Sequence, residues 1–191
     1  MAGFEVITED ERRMREIRGR RVSLIPQSPL SALNPYLRLE TQLREAWRAH
    51  SRESWRTQND RIAHLFDSAG LPHDERFLRR FPREVSIGQA QRVLIVMALL
   101  HSPALLIADE PTSALDVITQ RDVLDLLKRI GTERQMGMLF ISHDLPTVAS
   151  LCSRIAILHG GEIVERGPTQ EVLRLPSHPY TRRLVDAVPK W

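Results

Sequence analysis

One stretch constrains this chain more than any other: Ala104-Leu105-Leu106-Ile107-Ala108, five apolar residues that run directly into Asp109 and Glu110. A short apolar run of this length, bounded by turn residues, reads as a buried strand. It ends in two acids, and open α/β sheets place their ligands outside the carboxyl ends of such strands. The neighbouring segments alternate between strand and helix patterns, which implies an α/β architecture with parallel strands.

The rest of the chain fits that frame. Thr8 and Glu11 form a capping box that opens a helix over about residues 9–18, stopped by Gly19. Val22–Ile25 reads as a short buried strand ended by Pro26, and residues 28–35 are turn-rich. Residues 37–69 have helical periodicity: Leu39, Leu43, Ala46 and Trp47 share one face, and Ile62, Leu65, Phe66 and Ala69 another. Ser86 caps a helix whose inner face is Val93, Val96, Met97 and Leu100. After the strand at 104–109, an amphipathic helix starts at Asp116 and stops at Gly131. "MGMLFIS" is a strand, "LPTVASLC" a helix, and His159-Gly160-Gly161 marks a tight hairpin between "RIAIL" and "EIVE". "TQEVLRL" reads as the final helix.

Composition narrows the function classes. A length of 191 residues suits one domain with a subdomain. A net charge of +3, from 27 basic and 24 acidic residues, is too balanced to argue for nucleic acid. Cys152 is the sole cysteine, so an internal disulfide and a cysteine metal cage are excluded. No apolar run reaches the roughly 18–20 residues that span a bilayer. The first 21 residues hold no apolar core of the signal-peptide kind. The expectation is a protein neither exported nor membrane-spanning on its own account.

Four elements carry candidate chemistry. Asp109 suits a magnesium ion, bound directly or through water, and Glu110 suits an attacking water. His143 follows another buried strand, where a histidine can reach a terminal phosphate. Ser86, Gly88 and Gln89 sit at a helix N-terminus, which favours anions. The amide of Gln27, after the first strand, can reach a magnesium ion or a water. Singly, each also has an ordinary structural explanation: a solvated strand end, a strand-end histidine, a capped helix.

Together and in this order they resemble the nucleotide-binding domain of an ABC transporter, a P-loop NTPase. Gln27 matches the Q-loop, Ser86-Ile87-Gly88-Gln89 the signature, and Leu105 to Glu110 the Walker B strand. Ser113-Ala114-Leu115-Asp116 matches the D-loop and His143 the switch histidine. "IRGRRVSLIPQSPLSALNP", "GLPHDERFLRRFPREVS" and "GPTQEVLRLPSHPYTRRLVDAVP" resemble the dipeptide, oligopeptide and nickel importers within that family. His178-Pro179-Tyr180-Thr181 is the sharpest part of that tail, and a structural role with no ligand is expected for it.

The resemblance implies an α/β ABC-type core over residues 1–191, with a helical subdomain near 36–100 that carries the signature and an importer-type tail at 160–191. It implies ATP and Mg2+ as cofactors, Glu110 and His143 as catalytic residues, and Gln27 and Asp109 on the metal. Ser86, Gly88, Gln89 and Asp116 would serve ATP and the dimer. The implied partners are a second nucleotide-binding subunit and transmembrane permease subunits, with no nucleic acid. The implied location is the cytoplasm, peripheral on the inner face of the membrane.

Two departures qualify the implication. Ile87 stands where the signature normally has glycine, and a branched side chain narrows close backbone approach. Further, the phosphate loop of this class reads G-x-x-x-x-G-K-[ST]. The chain's two lysines, Lys128 and Lys190, are followed by Arg129 and Trp191. The loop is therefore expected upstream of Met1, through a truncated reading, a split or decayed gene, or a partner chain. The sheet is expected to be incomplete on one side, and the chain inactive alone. Two other readings stand beside this one: a non-hydrolysing module that completes a partner's ATP site, and an ABC-type DNA-maintenance ATPase.

Overall fold

The computed structural model describes residues 10–188, which divide into two compact units, one ending at Leu139 and the other beginning at Phe140. In the first unit, α1 (Glu11–Ile17) is capped by Asp10, whose carboxylate accepts from the Arg13 N–H at 2.8 Å. Thr8, read from sequence as part of that cap, lies outside the described residues. Strand β1 (Val22–Ile25) pairs in parallel with β2 (Leu105–Asp109), in the register Val22↔Leu105 to Ile25↔Ala108. The three-stranded sheet has the order β1-β2-β3, with β3 at Gly137–Ile141. Gly137 donates its N–H to the Ala104 carbonyl at 3.0 Å.

Between β1 and β2 the chain is helical. The turn-rich stretch contains a one-turn helix, α2 (Pro29–Ala32), begun by a proline whose fixed φ suits a first helical turn. Then come α3 (Leu39–Arg48), α4 (Asn59–Ser68), α5 (Glu75–Leu78) and α6 (Ile87–Leu99). Leu39, Leu43 and Trp47 of α3, and Ile62, Leu65 and Phe66 of α4, are buried as their periodicity requires. Helix α6 buries more than one face: Leu94, Ile95, Ala98 and Leu99 join Val93, Val96 and Leu100, while Met97 is only half-buried. It packs against α2, α3, α4, β1 and α7, which makes it the centre of the unit's core.

Helix α7 (Val117–Glu133) passes through Gly131, the stop expected from the sequence, and ends two residues later. The left-handed residue that terminates it is Gln135, with φ at +49°. The Gln135 N–H donates to Thr132 O at 3.3 Å and the Met136 N–H to Gly131 O at 3.2 Å. That is the Schellman pattern, with glutamine where glycine is usual.

In the second unit, α8 (Leu145–Leu151) precedes an antiparallel hairpin, β4 (Arg154–His159) and β5 (Glu162–Pro168). Gly160 and Gly161 both have positive φ, +61° and +86°, as a two-residue hairpin turn of the primed type demands. Helix α9 (Thr169–Arg174) is not the last element: α10 (Pro179–Asp186) follows it. Among the described residues no helix is long and apolar enough to cross a membrane.

Candidate functional site

Parallel pairing places the first cluster. Because Ile25 is opposite Ala108, the residues two positions past that pair, Gln27 and Glu110, leave the same end of the sheet side by side. Their side chains meet: Gln27 Nε2 donates to Glu110 Oε2 at 2.8 Å, across 83 residues of sequence. Asp109, the last residue of β2, is half-buried just before them.

Glu110 holds a left-handed backbone, with φ at +42°. A non-glycine residue in that region is strained and needs its surroundings to hold it. Ser113 supplies the hold: its N–H and its hydroxyl both donate to the Glu110 carbonyl, at 3.2 and 3.1 Å. Sequence reasoning quoted Ser113 inside a motif but gave it no such task, and no local pattern signals it.

The second cluster joins the start of α6 to the start of α7. Ser86 and Gln89 form a reciprocal capping box: the Gln89 N–H donates to Ser86 Oγ at 3.2 Å, and the Ser86 N–H to Gln89 Oε1 at 3.1 Å. Ile87 is 43% exposed at the first position of the helix. Asp116 caps α7, its carboxylate accepting from the N–H groups of Thr119 (3.0 Å) and Ile118 (3.1 Å) and from the Thr119 hydroxyl (2.7 Å). The Thr119 N–H and hydroxyl, ahead of Ile118, hold its carboxyl below the usual range. The cap is therefore complete above that range and is lost as pH falls through the lowered pKa.

Gly88 lets the two helix starts approach. A Cβ there would stand 2.4 Å from Thr119 Cγ2. Arg92 Nη2 and Asp122 Oδ2, at 3.1 Å, tie the same two helices one turn on. Gly88→Ala is expected to destabilise the chain by about 1–3 kcal/mol, since the β-branched Thr119 cannot swing away. Thr119→Ser keeps the hydroxyl and removes the clashing methyl, so the double variant should recover most of the loss in urea unfolding. No recovery would show that the clash lies elsewhere.

The structure thus brings Gln27 to Glu110, with Asp109 adjoining, and Ser86, Gly88 and Gln89 to the start of α7 at Asp116. His143 belongs to the second unit, where it is exposed in the bend between β3 and α8.

The tail motif is a clasp. Glu165 on β5 accepts from the Ser177 N–H at 2.8 Å, the Ser177 hydroxyl at 2.9 Å and the His178 N–H at 3.0 Å. His178 Nδ1 in turn accepts from the Tyr180 N–H at 3.2 Å, capping α10. Tyr180 stacks on His159 with ring centroids 3.8 Å apart. These donors, the Ser177 N–H foremost, push the Glu165 carboxyl down to about 2. The clasp's contribution is whole above the ordinary carboxylate pKa and fades as pH falls towards about 2. Glu165→Gln should free α10, read as faster proteolysis of the tail at neutral pH. Unchanged cleavage would remove Glu165 from that role.

A parallel sheet that presents an acid pair at one end, beside a helical region with a capped helix start, is an α/β architecture of the cassette type. The chain belongs to the ABC transporter family, whose model matches residues 5–113. Residues 164–191 match the C-terminal region of oligopeptide and dipeptide transporters. A putative peptide import ATP-binding protein of Brucella ovis is 42% identical over 181 residues, covering 95% of this chain and 54% of that protein. The glutathione import ATP-binding protein GsiA of Salmonella choleraesuis is 39% identical over 187 residues, 98% of this chain and 30% of that protein. The chain thus spans about half of the Brucella relative and less of the Salmonella one. Among solved structures, a dimeric ATP-binding cassette in a post-hydrolysis state bound to ADP and Pi superposes with a TM-score of 0.75. It is 26% identical, over 88% of this chain and 72% of that one. The fold expected from the sequence is the fold found.

Proposed function

We propose that this chain is part of the ATP-binding, ATP-hydrolysing subunit that energises an importer of peptides or related solutes. The observation that carries the reading is the Gln27–Glu110 hydrogen bond at the end of the β1–β2 pair. It sets an uncharged donor against a carboxylate at the place where a water would attack a terminal phosphate. The names of the relatives, peptide and glutathione import ATP-binding proteins, support the substrate class.

In this reading Glu110 polarises the water, and Ser113 keeps its backbone in the conformation that aims it. Mg2+ is commonly held by one or two protein oxygens together with substrate phosphates. Asp109 and the Gln27 amide oxygen fit that donor set. The bound ion would neutralise charge on the phosphates. His143 would contact the γ-phosphate, and Ser86, Gly88 and Gln89 would face ATP held by a second nucleotide-binding subunit, with Asp116 at the dimer contact. Permease subunits in the membrane would receive the motion, the helical region 36–100 facing them and the cassette lying on the cytoplasmic side. Residues 1–191 hold no G-x-x-x-x-G-K-[ST] run, so in this reading the phosphate loop would be a separate contribution.

The test is to join the chain in frame to a G-x-x-x-x-G-K-[ST] strand–loop–helix segment from a full-length family member and measure phosphate release. Hydrolysis by the joined protein, and none by the chain alone, is expected. No hydrolysis by the joined protein, together with a rise in the ATPase activity of an intact partner when the chain is added, would instead favour the non-hydrolysing module that completes a partner's site.

A further inference from the structure

Away from both clusters, where α6 ends and before β2 starts, two guanidinium groups converge on one neutral oxygen. Arg61 Nη2 donates to Ser102 Oγ at 3.0 Å and to the Leu100 carbonyl at 3.0 Å. Arg134 Nη1 reaches the same Ser102 Oγ at 3.5 Å. Among the described residues neither arginine has a carboxylate within ion-pair distance. Like charges brought this close, with no counter-charge in contact, repel.

The surroundings are aromatic and imidazole rings. The Arg61 guanidinium lies 5.9 Å from the centroid of the Trp47 ring, and Trp47 stacks on His101 at 5.1 Å. His50 meets His101 edge-on at 5.3 Å. Burial first, and then the charges of His50, Arg61 and Arg20, hold the His101 imidazole below its usual pKa. Arg134 is likewise disfavoured as a cation, by burial and then by Arg61, with Glu133 acting against that. Ser102 itself is exposed and in the left-handed backbone region, φ +49°, so its hydroxyl faces solvent between the two arginines.

We infer that Arg61, Ser102 and Arg134 form a binding site for a phosphate group, carried by a small soluble anion. A dianion there accepts from two forked donors and from the serine hydroxyl, and it removes the repulsion between the guanidiniums. None of these residues has a part in the proposed nucleotide chemistry, so this inference stands or falls separately from it.

The test uses the full chain, 15N-labelled, titrated with inorganic phosphate and in parallel with chloride at equal ionic strength and neutral pH. Saturating shifts are expected at Arg61, Ser102 and Arg134, with phosphate and not with chloride. Arg134→Gln should weaken phosphate binding by roughly tenfold. Ser102→Asp puts a carboxylate between the arginines, in a residue that tolerates left-handed backbone. It should abolish the phosphate response and raise Tm. Linear shifts common to both anions, or an unchanged affinity in Arg134→Gln, would overturn the site. So would binding to phosphatidylglycerol vesicles without any response to free phosphate, which would make this a membrane contact instead.

Discussion

Glu110→Gln, placed in a cassette completed by a phosphate loop, is expected to lower ATP turnover by about a hundredfold or more while nucleotide still binds. The substitution is nearly isosteric, and the oxygen that accepts from Gln27 at 2.8 Å is retained. What it removes, on the role proposed for Glu110, is the negative charge that would draw a proton from the attacking water. Binding and hydrolysis should therefore separate, with the Kd for ATP close to that of the parent and kcat reduced. Hydrolysis at the parent rate would sink the role given to Glu110. Loss of ATP binding as well would mean that the strained backbone at this residue had collapsed, and a control at Ser113 would then be needed to see which contact failed.

The largest stability effect should come from Phe66→Ala. The ring is fully buried, with the Phe77 ring edge-on at 6.5 Å between centroids and His73 at 5.0 Å. Removing it leaves a cavity among rigid neighbours, which costs about 3–5 kcal/mol. A chain of this size has only about 5–15 kcal/mol of net stability, so the variant should unfold at much lower urea. A loss below about 1 kcal/mol would show that α4 and α5 close over the space. Helix α4 packs on α6, so such closure would also be seen as altered protection of the Ser86 cap.

Much of this was legible in the sequence because the signals were local. Val22–Ile25 declared itself as an apolar run ended by Pro26, and Ser86 as a cap before an apolar periodic run. The acid pair declared itself by standing at the end of such a run. What misled was local chemistry with an unusual residue in the decisive place. Gly131 looked like a stop but is interior to α7, because Gln135 takes the left-handed cap. The residues after Leu175 read as a structured tail but not as a further helix, because the N-cap of α10 is a histidine, an uncommon cap, followed by Pro179. What was invisible was long-range. Nothing near Gln27 announces Glu110 as its partner, and nothing near Gly88 announces Thr119. Those facts are products of sheet register and helix packing.

The clasp at Glu165 has one more consequence. Its anchor and the first group it holds, Ser177, are only 12 residues apart. Closing so short a loop costs little entropy. The hairpin and its tail therefore carry their own means of attachment within one contiguous stretch of gene. Grafted behind another cassette, such a stretch is expected to bring its own attachment with it.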